Sequence, residues 1–586
     1  MKGFDVLHVK SAVKTRNKFD LSRTHLTTMD FGQIVPLLCE ETVPGDQFNI
    51  GAEYFSRMAP LVKPTYGKFS FKTVSAFVPY HQIAWDSDAW LAGKTTWEGI
   101  TPTNRYITIT ELSYFFRTYC LTTTGATSTN ADYAYIDANG NNVYMIFTTQ
   151  GKYWTKVMNS LGFALPEGVD LRSTSYWSQN IKTTPLSFYP VLAFFKLYND
   201  YMSQSQRFNT SALSNILQCV KYGKSVSGYT PATGACSSLV LKNMFDCLFL
   251  NYENDYFTSA WQNPNTALNA VESISSAPIP GSVPSGAQVE YNANDNYINQ
   301  SIGTTNVTIG QRALDFLKSF DDWVRRNNYS GSRAVQQVYS RFGIKTDDYR
   351  SHYANVISTD VLPVQVGDVT STADTQSAYL GDYAGKGIMS GSKGVSCQVS
   401  DYGVILILGY FTVSPMNAYG FDKKVLRSSP LDYYNPEFDG IGAEAIPVME
   451  YYENPRGLID SDSTASTAVF GFTERYNSYR YGRDQITGEF RNYQNASDMN
   501  TWHTGRNLNA VRAAGNLVAQ SSAVNTLPQT DSEYNRIFSI TSGITDHFYM
   551  TARFNVQAVR PMMNLNQVPR LGEGDTVVPR NGNVIS

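Results

Sequence analysis

The stretch HFYMTARFNVQAV, His547 to Val559, alternates without a break. Phe548, Met550, Ala552, Phe554, Val556 and Ala558 share one face, and Thr551, Arg553, Asn555 and Gln557 share the other. Successive side chains of a strand point to opposite faces, so this pattern predicts an antiparallel strand with one face in a core and one in water. Its counterpart is VILILGYFTV, Val404 to Val413, which is apolar throughout and reads as a strand covered on both faces. KFSFKTVSAFVPY, Lys68 to Tyr80, alternates again, with Phe69, Phe71, Thr73, Ser75 and Phe77 together. Between Gln33 and Ile50 two further strands are expected, joined at Val43-Pro44-Gly45-Asp46, where Pro and Gly suit a type II turn. Pro36 lies in the first of them and removes a ladder donor, which predicts an edge or bulged strand.

Helical signals cluster in the middle of the chain. Pro190 is placed for a helix N-terminus ahead of Val191, Phe194, Phe195, Tyr198 and Met202 at helical spacing. Thr308-Ile309-Gly310-Gln311 has the form of a capping box, and a helical segment is expected over residues 311–345. Two intervals read as insertions. Residues 122–182 contain a hairpin signal at Asn139-Gly140. Residues 262–310 are rich in Asn, Ser, Pro and Gly, hold no Lys or Arg, and read as an exposed excursion.

At 586 residues the chain exceeds the usual ceiling for one simple core, so two domains or one domain with large insertions is expected. Charged residues are only 17 %, aromatics reach 13 %, and there are 39 Tyr. This composition excludes disorder, and it fits either extensive contact with other chains or a β-rich core. A net charge of −3 confines any nucleic-acid contact to a local patch. The basic patch that stands out is Lys10, Lys14, Arg16, Lys18 and Arg23, accompanied by one acid, Asp20. A solvated terminus and a phosphate-neutralising arm both fit it, and Phe19 is placed to stack a base.

Chemistry is otherwise sparse. Six scattered cysteines form no CxxC pair, which suggests neither a zinc site nor a disulfide framework. Gly223-Lys224-Ser225 lacks the leading glycine of a phosphate loop, and Asp137, Asn139 and Asn141 lack the glycine and closing glutamate of a calcium loop. His503 and His547 have no sequence-adjacent ligand or base partner, so core or surface roles are expected for them. No catalytic residue, metal site or cofactor is assigned. The N-terminus lacks a signal-peptide core, and the longest apolar run is too short to span a bilayer, so a soluble, reducing compartment without membrane insertion is expected.

FDLSRTHLTTMDFGQIVPLLCEETVPGDQFNI, Phe19 to Ile50, resembles the N-terminal signature of the major capsid proteins of microviruses, small single-stranded-DNA bacteriophages, and of gokushoviruses in particular. The resemblance recurs in order at RMAPLVKP (Arg57–Pro64), FVPYHQIAW (Phe77–Trp85), PVLAFFKLYNDYM (Pro190–Met202) and DYFTSA (Asp255–Ala260). It continues through STDV (Ser358–Val361), LGDYAGKG (Leu380–Gly387), DYYNPEFDGIGAEAIP (Asp432–Pro447), FGFTERYNSYRYGRDQITGEFR (Phe470–Arg491) and TWHTGRN (Thr501–Asn507). The intervals 122–182 and 262–310 and the extreme tails fall outside it.

The resemblance implies a mainly β fold, an eight-stranded antiparallel jelly roll with long inter-strand insertions of helices and loops. Together with the residue pattern, a basic arm over 1–30 and a single capsid domain over 31–586 are expected, with strands concentrated near 31–85 and 400–560; the resemblance makes 262–310 a surface protrusion. It implies a non-enzymatic virion protein that assembles with copies of itself into an icosahedral shell around circular single-stranded DNA. Minor virion, pilot or scaffolding proteins and a host cell-surface receptor are the further expected partners, with assembly in the host cytoplasm. A β-sandwich carbohydrate-binding or carbohydrate-active protein is the competing reading.

Overall fold

The computed structural model describes residues 16–96, 101–136, 141–164, 184–203, 212–223, 235–260, 353–370, 383–439, 443–452, 469–491, 498–506, 533–540 and 546–562, with a few shorter pieces between them. Nine strands make one antiparallel sheet: β1 (Asn17–Asp20), β2 (Arg23–Met29), β3 (Ile34–Thr42), β4 (Gln47–Met58), β5 (Phe69–Pro79), β6 (Asn355–Thr370), β7 (Tyr383–Gln398), β8 (Gly403–Val413) and β9 (Phe548–Arg560). From one edge to the other, β1 and β2 are followed by β9, β4, β7, β6, β5, β8 and β3. β1 and β2 lie end to end along β9, against Gln557–Arg560 and Phe548–Phe554 respectively. The nine strands therefore fill eight lateral positions.

The sheet curls at β6. Asn355–Val364 of that strand pair with β5, whereas Gln365–Thr370 pair with β7, so one strand belongs to both layers. Curling brings β9 over β8, and Phe548 stacks on Phe411 with ring centroids 3.9 Å apart. This is the jelly-roll type of architecture, in which both inner faces supply one core. The inward residues of β9 are all buried, as its alternation predicts, and β8 is buried on both faces apart from the half-buried Tyr410. The turn after β3 keeps its predicted form, with Gly45 at φ +92° and the Asp46 amide donating to the Val43 carbonyl at 3.0 Å. It does not make a hairpin: β3 pairs with β8 and β4 with β9 and β7, so the turn carries the chain from one layer to the other. β3 is an edge strand with a register shift beside Pro36, as the missing amide requires.

The outer side of β8 is covered by helices. α1 (Ile109–Phe115), α2 (Thr149–Ser160), α3 (Tyr189–Tyr201), α4 (Ala212–Tyr222) and α5 (Ser238–Asp246) join the main core. α3 begins at the expected proline and packs on β5 and β8, and its near-continuous apolar character follows from burial on all sides. In the 122–182 interval, strands Tyr133–Ile136 and Asn142–Phe147 pair as expected of the Asn-Gly signal, although Asn139 and Gly140 themselves lie outside the described residues. α2, in the same interval, packs against β3, so this insertion contributes to the core rather than decorating it.

Several expectations need correction. Residues 17–29 are strands of the main sheet, so an arm ending at residue 30 is too long. Strands expected to concentrate near 31–85 and 400–560 also occur between these ranges, where β6 and β7 are the two longest among the described residues. β7 holds Gly385, Gly387, Gly391 and Gly394, a composition that weakens any strand signal. At Gly387 the glycine answers a packing need, since a Cβ there would sit 2.0 Å from the Met58 sulfur. The expected helical segment 311–345 lies almost wholly outside the described residues. Of 262–310, only the backbones of three short paired strands, Val289–Asn292, Tyr297–Ile302 and Thr305–Asn306, are described.

Candidate nucleic-acid interface

The sequence of β2, RTHLTTM, has its own two-residue period. Arg23 lies opposite Phe554 and His25 opposite Ala552, both inward positions, so these two side chains reach over the rim of the sandwich. There they meet the unpaired edge of β3. The Arg23 guanidinium donates to the Cys39 carbonyl at 2.8 Å and forms an ion pair with Glu40. The His25 Nδ1 is 3.0 Å from the Leu37 carbonyl, and Arg560 donates to the Glu41 carbonyl at 2.8 Å. Farther along, the Tyr153 hydroxyl takes the amide of Ile34 at 2.9 Å and donates to its carbonyl at 3.1 Å. Side chains of β2, β9 and α2 thus cap the free edge of β3, which protects backbone that would otherwise recruit another strand.

A buried polar group anchors the end of this seam. Asp30 receives the Phe31 amide at 2.8 Å and the Asn535 amide at 3.0 Å, and its carboxylate lies 3.3 Å from the His547 Nδ1. Burial pushes the Asp30 carboxyl upward against these bonds; burial also opposes the His547 charge, but the contacts with Asp30, the Ile540 carbonyl and Asp546 together hold that imidazole above its ordinary value. Lys156 of α2 donates to Asp546 at 2.6 Å and to Gln33 at 2.7 Å. His547 therefore serves the core. His503 does likewise, with Nε2 2.9 Å from the Phe490 carbonyl and Nδ1 accepting the Gly505 amide.

The five cations singled out in the sequence have different surroundings. Lys10 and Lys14 lie outside the described residues. Arg16 is exposed, with its guanidinium against the Gly45 turn. Lys18 is exposed on β1 opposite Val559, an outward position. Arg23 differs: its charge is matched by Glu40 within the seam. Phe19, expected to be available for stacking, is half-buried opposite the inward Ala558.

Sequence reasoning overlooked the outward face of β9, β4 and β7, although the polar half of the β9 alternation was its signal. Tyr549 lies opposite Arg57, and Arg57 opposite Ile388; Thr551 lies opposite Phe55 and Arg553 opposite Glu53. Two open grooves run across this face. The first, about 850 Å³, has Phe55, Tyr549 and Leu26 as its floor and Arg57, Lys152 and Lys156 at its rim. The second, about 800 Å³, is more polar than the first and lies over Gly51 and Gly394, between Arg553 and Asn555 on one side and Ser392 on the other. Gly394 has open space above it, so the floor here is bare backbone.

Other chemistry is absent among the described residues. No three His, Cys, Asp or Glu side chains gather as a metal site, the six cysteines are free, and no helix is long and apolar enough to cross a membrane. Gly223 has φ +61° just after α4, the conformation of a helix-ending glycine rather than of a phosphate loop.

A family model described as "Capsid protein (F protein)" matches residues 7–97 and 181–570. The chain belongs to this capsid protein family. It is 22 % identical over 611 residues to "Capsid protein VP1" of Chlamydia phage 1, covering 94 % of this chain and 95 % of that protein. It is also 23 % identical over 541 residues to "Capsid protein VP1" of Bdellovibrio phage phiMH2K, covering 89 % and 92 %. The role of the chain is therefore structural, as a component of the virion, and the resemblance to gokushovirus capsid proteins holds. Membership implies self-assembly into a shell and packaging of DNA. Nothing in these comparisons supports a carbohydrate-binding or carbohydrate-active protein. The unmatched stretch contains most of the 122–182 insertion, whereas the second matched stretch runs through 262–310, which the motif resemblance had left out.

Proposed function

We propose that the chain closes into a small icosahedral shell around a circular single-stranded DNA genome, with the basic N-terminal residues on the inside and 262–310 on the outside. The observation that carries this reading is the family match to residues 7–97 and 181–570. The seam adds a constraint on how copies join. With the β3 edge capped inside the subunit, neighbours do not extend the sheet there and meet through loops and side-chain surfaces. Each contact in such a shell buries roughly 1,200–2,000 Å², and stability comes from many made at once.

The proposed role of Lys10, Lys14, Arg16 and Lys18 is to neutralise genome phosphates without base specificity. In support, Arg16 and Lys18 are exposed and form no ion pair within 4.0 Å with another described residue. Arg23 drops out of the set because Glu40 already matches its charge. The loop-rich 262–310 segment is the proposed contact with a host cell-surface receptor, and minor virion, pilot or scaffolding proteins are proposed to join assembly in the host cytoplasm. The test replaces Lys10, Lys14, Arg16 and Lys18 by Gln and measures packaged DNA and its release against salt. Reduced genome content with a shallower salt dependence is expected; normal content and an unchanged salt profile would refute the role of the arm.

A further inference from the structure

We propose that the outward face of β2, β9, β4 and β7 is a binding track for single-stranded DNA. This inference rests on the reading of the chain as a capsid protein that packages DNA, and deepens it by naming a surface.

Four features converge on this face. Among the described residues only the end of α2 borders this sheet face, whereas the outer face of the opposite layer is covered by α3 and its neighbours. The two grooves follow one another along the strands: Thr551 and Phe55 end the first, and Arg553 and Glu53 begin the second. From Tyr549 to Gln557 they run about 25 Å at strand rise, long enough for a few extended nucleotides.

Charge on the face favours a polyanion. Lys18, Arg57, Lys152, Lys386 and Arg553 outnumber Asp20 and Glu53, in a chain that is negative overall. Arg57, Lys152 and Arg553 make no ion pair with another described residue, and the one carboxylate in the first groove, Asp546, is held by Lys156. Arg57 lies over the Phe55 ring, with 5.4 Å to the centroid, and keeps its charge without a carboxylate; such cations are what a phosphate backbone can engage by counter-ion release.

The two grooves also divide the binding task. Phe55 and Tyr549 are each 41 % exposed and Leu26 is 73 % exposed, so their apolar surfaces are presented to solvent beside those cations. A base stacked on such a ring gains about 1–3 kcal/mol without sequence preference. Over Gly51 and Gly394 no side chain stands up, which lets a sugar-phosphate strand approach the sheet between Arg553 and Ser392. Lys18 lies on the same face, opposite Val559.

The test uses the full-length chain and an oligothymidylate carrying 5-iododeoxyuridine and fluorescein. After irradiation, cross-links are expected on the peptides that hold Phe55 and Tyr549. The variant Arg57→Gln, Lys152→Gln, Arg553→Gln is expected to bind at least about tenfold more weakly. Its log–log salt slope should be shallower by roughly two, from about 0.7 per lost phosphate contact on a single strand. Shell formation by the variant is scored separately by sedimentation, so that loss of DNA binding with intact shells supports the track and leaves the capsid reading untouched. Cross-links confined to residues 1–18, or an unchanged salt slope in the folded variant, would overturn the track alone. A folded variant that binds DNA normally but forms no shell would show that this face is a contact between copies. The cross-linking arm needs no substitution, so the proposal stays testable if the triple variant does not fold.

Discussion

Tyr153 satisfies both backbone groups of Ile34 with a single hydroxyl, accepting the amide at 2.9 Å and donating to the carbonyl at 3.1 Å. The two residues are 119 positions apart, in a helix of an insertion and in the edge strand of the sheet. The insertion therefore completes the fold. Tyr153→Phe removes only the hydroxyl and leaves both groups of Ile34 buried without a partner. A loss of about 1–3 kcal/mol is expected, read as a lower urea midpoint with an unchanged slope. An unshifted midpoint would mean that water or another group replaces the hydroxyl.

Arg23 separates a structural role from a genome role. Arg23→Gln removes the ion pair with Glu40 across the seam, while Cys39 can still receive an amide hydrogen. Because the pair is partly exposed, the expected cost is only about 1 kcal/mol. Packaged DNA and its salt dependence should stay as in the unmodified chain. A fall in DNA content without a fall in stability would return Arg23 to the genome contact.

The core prediction concerns Phe554, which is 2 % exposed and meets Tyr54 edge to face. Phe554→Ala should cost roughly 3–5 kcal/mol through lost burial and the cavity left behind. Most of the chain should then appear in the insoluble fraction. A soluble variant that still assembles would refute the inward assignment of this strand face.

Much of the layered fold is legible in sequence because burial imposes a period. The β9 alternation and the continuous apolar run of β8 declare both faces of their strands. β7 hides for the opposite reason: its glycines make room for neighbours such as Met58 and so erase the pattern that would announce a strand. The seam is hidden too, since contacts such as Tyr153 with Ile34 depend on tertiary placement and leave no local signal. For the candidate site, the basic residues near the N-terminus were visible as a charge cluster. Which of them is already paired, and which sheet face carries Lys18 beside Arg57 and Arg553, emerged only from register.

A pH dependence is expected from Glu450. Burial pushes its carboxyl up to about 7 against the pull of Lys423, whose Nζ is 3.9 Å away and closer to Glu444 at 2.9 Å. An acid with a raised folded value contributes stability that is fully present below its ordinary value of 4.5 and is lost as pH rises through about 7. The thermal midpoint should therefore fall between pH 5 and pH 8, by an amount equivalent to at most about 3 kcal/mol. Glu450→Gln should flatten that decline and raise the midpoint at the alkaline end. A variant with the same decline would assign it to other groups.

Residues 262–310 offer a test of the outer surface. If the segment is the outer protrusion proposed above, shortening 270–300 should leave particles intact and change adsorption to the host. Loss of assembly on shortening would make the segment an element of a subunit interface.

The most direct test of the capsid assignment is the mass and image of the purified full-length chain, or of virus, by sedimentation and electron microscopy. Closed, uniform particles of megadalton mass, built from many copies of the 65.3 kDa chain, are expected. A monodisperse 65.3 kDa monomer under every assembly condition, from virus as well as from expressed protein, would contradict it.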